Sequence, residues 1–146
     1  MANDVQAAFE AFETFEHQAD IGVRGRGASQ AEAFANAARA MMSVITDLSS
    51  VVDNEQVDVR CEAPDVELLL VDWLNAVVYE MATRHMLFGR FAVELEAGAL
   101  TGHMWGEHVD RHRHAPAVEV KGATYTGLSV HQDQSGHWVA ECIVDV

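Results

Sequence analysis

The sequence predicts an α+β fold in which two helices pack on one face of a largely antiparallel or mixed β-sheet, giving two layers. Strand and helix periods alternate as strand, helix, strand, helix before several strands follow in succession. Both helical segments carry a broad apolar face, which suits packing onto a sheet. The glycines Gly22, Gly25 and Gly27 have neither GxGxxG nor GxxxxGK(S/T) spacing, so a doubly wound nucleotide-binding fold has no support. A chain of 146 residues with 49% hydrophobic content can bury one core, and a single domain spanning 1–146 is expected.

The first eleven residues lack a strand period and are expected to fray. Thr14 to Arg24 reads as one strand interrupted by the polar cluster Glu16-His17-Gln18-Ala19-Asp20, with Gly25-Arg26-Gly27 ending it. Ser29 to Glu32 is a capping box, and the helix after it places Phe34, Ala37, Ala38, Met41 and Ile45 on one face. Gln56 to Glu62 alternates as a half-exposed strand with Val57, Val59 and Cys61 on one side. Asp65 is the N-cap of a second helix, whose stripe runs from Val66 through Trp73 to Met81. The remainder is read as strands: Phe91 to Leu95, Leu100 to Trp105, Val118 to Tyr125, and a hairpin turning at Asp133-Gln134-Ser135-Gly136 whose second arm is His137 to Val146.

Nine Lys and Arg against 23 Asp and Glu give a net charge of −14, which disfavours autonomous nucleic-acid binding. It suits a basic partner or a metal ion. No apolar run approaches the ~20 residues of a membrane span, and the start lacks a secretory plan, so a cytoplasmic protein is expected. Cys61 and Cys142 form no CxxC pair and read as buried reduced thiols.

Two segments place polar groups where a strand pattern would otherwise continue: His17 to Asp20 and Ile143 to Val146. If their strands lie together, Asp20, Asp145 and the Val146 carboxylate cluster the hard oxygens that Ca²⁺ or Mg²⁺ requires, whereas solvated strand ends are the ordinary alternative. Lys121, the single lysine, sits in a strand-like stretch, where it either steadies those carboxylates or contacts phosphate, or merely guards a strand edge. The histidine-rich run from Gly102 to His114 has no zinc-ligand spacing and reads as a strand end and an exposed loop, open to a partner. No nucleophile arrangement is signalled: no GxSxG occurs, and both cysteines lie within strand patterns.

Seven segments in order resemble one family, archease, the accessory protein of RtcB-type tRNA-splicing ligases. They are Phe15-Glu-His-Gln-Ala-Asp-Ile-Gly22, Ala31 to Ala38, Met42 to Asp47, Asp72-Trp-Leu-Asn75, Gly106-Glu107, Val120 to Tyr125, and Trp138 to Val146. The resemblance implies an archease-like two-layer fold and a non-enzyme activator that promotes guanylylation and multiple turnover of the ligase in tRNA splicing, tRNA processing or RNA repair. It places Asp20, Asp145 and Val146 at a metal site, with Ca²⁺ favoured over Mg²⁺, Lys121 among the activity-linked residues, and Glu16 and His17 as supports. Glu16 and Gln18 depart from the family's aspartate and threonine. A chaperone-like binding module and a stand-alone metal-dependent phosphoesterase are the rival readings.

Overall fold

A computed structural model of the chain describes residues 11–146. The expected frayed extension therefore lies outside the described residues, except for Ala11, whose carbonyl accepts from the Arg26 amide at 2.8 Å.

Strands β1 (Phe12–His17) and β2 (Asp20–Gly27) form an antiparallel hairpin, which corrects the single interrupted strand read from Thr14 to Arg24. Gln18 turns the chain at a φ of 55°, without the glycine that announces most such turns. Strand β2 also continues through Gly27 instead of stopping at Gly25. A Cβ on Gly25 would strike the backbone at Ala33 and Ala37, so its absence lets helix α1 (Gln30–Ile45) lie close on the strand.

The expected cap starts that helix: the Ser29 hydroxyl accepts from the Glu32 amide at 3.1 Å, and the Glu32 carboxylate accepts from the Ala28 amide at 3.3 Å. Its predicted apolar face is buried, and so are Ala33, Ala40 and Met42, because the helix touches β1 and β2 together with the later strands Met86–Glu96 and Trp138–Asp145. Strand β3 (Glu55–Glu62) follows a short 3₁₀ turn. Helix α2 (Val66–Arg84) starts at Asp65, whose carboxylate accepts from the Leu68 amide at 2.8 Å. It packs on β3 and on the two strands that follow it, and its Trp73 indole donates to the Phe34 carbonyl at 3.0 Å, joining the two helices.

Strands β4 (Met86–Glu96) and β5 (Ala99–His108) are followed by the single-turn helix α3 (Arg111–His114), then β6 (Gly122–Ala123), β7 (Ser129–Gln132) and β8 (Trp138–Asp145). Pairing is antiparallel throughout, and the strands divide into two sheets. One has the order β1-β2-β8, with β6 and β7 both on the far edge of β8; the other has the order β3-β5-β4. The α+β class with helices on antiparallel sheets is thus as the sequence predicts.

Two segments differ from expectation. Only Gly122 and Ala123 of the Val118–Tyr125 stretch pair as a strand, since β8 offers that edge just its last two positions. The Gly102–His114 run is strand to His108 and exposed from His108 to Arg113 as expected, but it closes in a one-turn helix whose His114 is only 3% exposed. Cys61 and Cys142 are free and buried, and burial pushes the Cys142 thiol up to about 12. Among the described residues no helix is long and apolar enough to cross a membrane.

Candidate carboxylate site

Register alone assembles the site. In the first hairpin His17 pairs with Asp20, and along the next interface Ile21 pairs with Val144. One further step of that ladder sets Asp20 opposite Asp145, and directly opposed residues of antiparallel strands share a face. His17, Asp20 and Asp145 therefore form one row across three strands at the end of the first sheet. The last residues of the chain do return beside the early strand.

The row faces away from α1. Alternation sends Ile21 and Val23 toward the helix, while Asp20, Gly22 and Arg24 share the outer face. Phe15 lies across Gly22, where any Cβ would collide with its ring, which accounts for the glycine two residues beyond Asp20. Glu16 pairs with Ile21 and so belongs to the opposite face, apart from the row. Lys121 comes close through its backbone: its amide donates to the Asp145 carbonyl at 2.8 Å, and its side chain is exposed. Asn75 of α2 fixes that neighbourhood, its carboxamide oxygen accepting from the Ala123 amide at 2.8 Å.

Asp20 is half-buried and Asp145 exposed, and neither side chain has a hydrogen bond or ion pair among the described residues. Oxygen donors without thiolate are the chemistry of a hard divalent cation. Among the described residues no group of three or more His, Cys, Asp or Glu side chains converges tightly enough to hold an ion alone. A cation here would draw on two aspartates and complete its shell from backbone oxygen, water or a partner's phosphate.

Comparison with known proteins decides the family. The model of the Archease protein family (MTH1598/TM1083) matches residues 12–146. The chain belongs to the archease family. A protein archease of Sulfurisphaera tokodaii is 36% identical over 137 residues, covering 92% of this chain and 98% of that protein; one of Pyrococcus furiosus is 33% identical over 139 residues with the same coverage. The solution structure of Methanobacterium thermoautotrophicum protein 1598 superposes with a TM-score of 0.82 at 33% identity, covering 94% of this chain and all of that one. A Thermotoga maritima crystal structure, described as an archease and possible chaperone, has a TM-score of 0.61 at 20% identity over 90% of this chain and 94% of that one, and bears on the fold alone.

This archease also contains a polar cluster that sequence reasoning missed. Glu107, 7% exposed, accepts two bonds from the Arg113 guanidinium at 2.7 and 2.8 Å, one from the Val52 amide at 2.8 Å, and pairs with His114 Nε2 at 3.0 Å. His114 Nδ1 accepts from the Asp110 amide at 2.8 Å, which assigns the ring proton to Nε2, facing Glu107. The Arg113 bonds foremost, opposed by burial and helped by the Val52 amide, hold the Glu107 carboxyl down at about 2. The signals available were the Gly106-Glu107 segment of the family resemblance and Asp110, whose carboxylate caps α3 by accepting from the amides of His112 and Arg113. His103 of the same run sits on the outer face of the second sheet, between Asp58 at 2.8 Å and Glu94 at 3.3 Å; the Asp58 bond above all raises its pKa.

Proposed function

We propose that this archease activates an RtcB-type RNA ligase, promoting its guanylylation and multiple turnover in tRNA splicing or RNA repair. The observation that carries this reading is the unpartnered Asp20–Asp145 pair at a sheet end, in a chain of this family. Two ladders hold the carboxylates, so little ordering is lost when they are engaged. Asp20 and Asp145, with Val146 beside them, would hold a divalent ion, Ca²⁺ ahead of Mg²⁺, which when bound would neutralise charge on a phosphoryl group. Lys121 supplies a cation beside the pair for a phosphate oxygen, and His17 occupies the end of the row against Asp20. Glu16, on the other face, takes no part.

The test uses Asp20→Asn and Asp145→Asn with the ligase of the same cell. Multiple-turnover RNA joining should fall roughly 10- to 100-fold, the usual cost of disturbing a metal site. Thermal unfolding should show Ca²⁺ or Mg²⁺ stabilising the unmodified protein but not the variants. Folded variants with full stimulation would overturn the reading. A chaperone-like binding module, the alternative reading, predicts instead that both aspartates are dispensable.

A further inference from the structure

The outer face of the second sheet carries Asp58 on β3, His103 and Trp105 on β5, and Arg90 and Glu94 on β4, all exposed or half-buried. His103 occupies the middle strand. It stands directly opposite Asp58 on one side and opposite Ala92 on the other, where the small side chain leaves room for Glu94 to reach the ring on the diagonal. Its Nδ1 lies 2.8 Å from Asp58 and its Nε2 3.3 Å from Glu94.

A carboxylate accepts hydrogen bonds and donates none, so each ring nitrogen needs a proton to bond its partner. Neutral imidazole carries one. Only the imidazolium satisfies both contacts at once, and one ring then ties three strands together. His114, at the end of the same run, is held in the converse state, since its Nδ1 accepts an amide and only Nε2 is left to carry a proton.

We infer that His103 is a pH-sensitive clasp of the second sheet: protonated, it joins β3, β5 and β4, and on losing one proton it keeps Asp58 and releases Glu94. The Asp58 contact is the shorter and lies in register, and the Gln56 carboxamide, donating at 2.9 Å, steadies that carboxylate. Glu94 reaches across diagonally from a side chain that is 72% exposed. The proton that stays therefore sits on Nδ1. The other charged groups of this face are engaged elsewhere. Arg90 bonds Asp53 at 2.8 Å and lies over Trp105 at 3.8 Å, while Arg60 bonds Glu62 and the Thr101 hydroxyl, both at 3.4 Å. Glu96 lies two positions beyond Glu94, at the end of β4. The two bonded carboxylates, Asp58 foremost, raise the ring's pKa above its ordinary 6.5. The clasp's stabilisation is accordingly complete below pH 6.5 and is lost as the pH climbs through the higher folded value. The inference stands independently of the ligase reading.

The test follows the ring by ¹⁵N and ¹³C NMR across pH 5 to 9 in the unmodified protein, with His103→Gln assigning its signals. The midpoint should lie above 6.5, and both Asp58→Asn and Glu94→Gln should lower it, Asp58→Asn the more. Above the midpoint the ¹⁵N shifts should report a proton retained on Nδ1. Amide exchange, corrected for its intrinsic pH dependence, should then rise about two- to fivefold in the part of β4 that pairs with Thr101 and His103, the range an exposed ion pair supports, and not in the first sheet. His103→Gln should abolish that rise. A midpoint at or below 6.5, a neutral ring protonated on Nε2, or exchange in β4 that ignores the ring's titration would each overturn the clasp. The unmodified protein supplies all three readouts, so a variant that fails to fold does not shield it.

Discussion

Two rows on the outer face of one sheet differ by a single cation. In the row Glu13–Arg24–Glu141, the guanidinium sits between two carboxylates, at 2.7 Å from Glu13 and 3.0 Å from Glu141, and stacks over Phe15 at 4.5 Å. Four residues back along β2, the row His17–Asp20–Asp145 opposes two carboxylates with no ion pair to either among the described residues. The same ladder orders both rows, so the difference is in what each is for. The first is satisfied internally and ties three strands together. The second keeps like charges side by side, which costs stability and gains nothing within the chain. Glu107 marks the satisfied extreme, a carboxylate with Arg113, His114 and the Val52 amide all directed at it.

The largest effect expected from sharpening this contrast is at Glu107. Glu107→Ala leaves the His114 ring and the Val52 amide without their partner in a buried site, which should cost about 2–3 kcal/mol of unfolding free energy by urea titration. The loss should depend on pH. Because Glu107 stays ionised down to about 2 in the folded protein, against an ordinary 4.5, its contribution is complete above pH 4.5 and fades as the pH falls to 2. Melting curves of protein and variant should converge across that interval, and a difference unchanged between pH 5 and pH 2.5 would show that the ion pair is not its source.

Breaking the first row should make it resemble the second. Arg24→Met retains much of the aliphatic stem but leaves Glu141, 19% exposed, without its cation, whereas Glu13 keeps Arg26 at 2.7 Å. A loss of about 1–2 kcal/mol is expected, less than for a fully buried pair because Arg24 itself remains 24% exposed. Glu13, now held below its ordinary pKa chiefly by the Arg24 bond, should rise toward it in a carboxyl NMR titration. Equal stability of variant and parent would mean that this row's order owes nothing to its charges.

The residues of the second row were legible in the sequence, but their meeting was not. Periodicity identified both helices and their caps because Ser29, Asp65 and the apolar stripes are local signals. Asp20 and Asp145 are 125 positions apart, and only pairing of β2 with β8 joins them. Alternation tells which residues share a face but not which strands are neighbours. Resemblance to a family supplied that link, and register has now given it a physical form. Val118–Tyr125 misled for the opposite reason: its alternation is genuine, with Val120 buried, yet only Gly122 and Ala123 pair as a strand, while Val118, Glu119 and Val120 line a groove against α2. The Glu107 cluster left little trace, since its partners come from a 3₁₀ exit, a strand end and a one-turn helix, none with a lasting period.

The smallest expected effect discriminates best, because its sign is opposite to the others. If Asp20 and Asp145 repel one another without compensation, Asp145→Asn removes the repulsion while preserving shape, and the folded chain should become more stable. Opposed like charges on exposed strand positions cost roughly 0.2–1 kcal/mol, which for a domain of this size raises Tm by at most about 3 °C. The gain should be largest at low ionic strength and shrink at 0.5 M salt, where screening already relieves the native pair. Saturating Ca²⁺ should reverse the order, stabilising the parent past the variant, because an ion held as proposed would use both carboxylates as ligands. A variant that melts below the parent in metal-free, low-salt buffer would mean Asp145 has a stabilising partner after all. The two rows would then differ in degree alone, and the case for a carboxylate pair kept ready for a ligand would lose its physical basis.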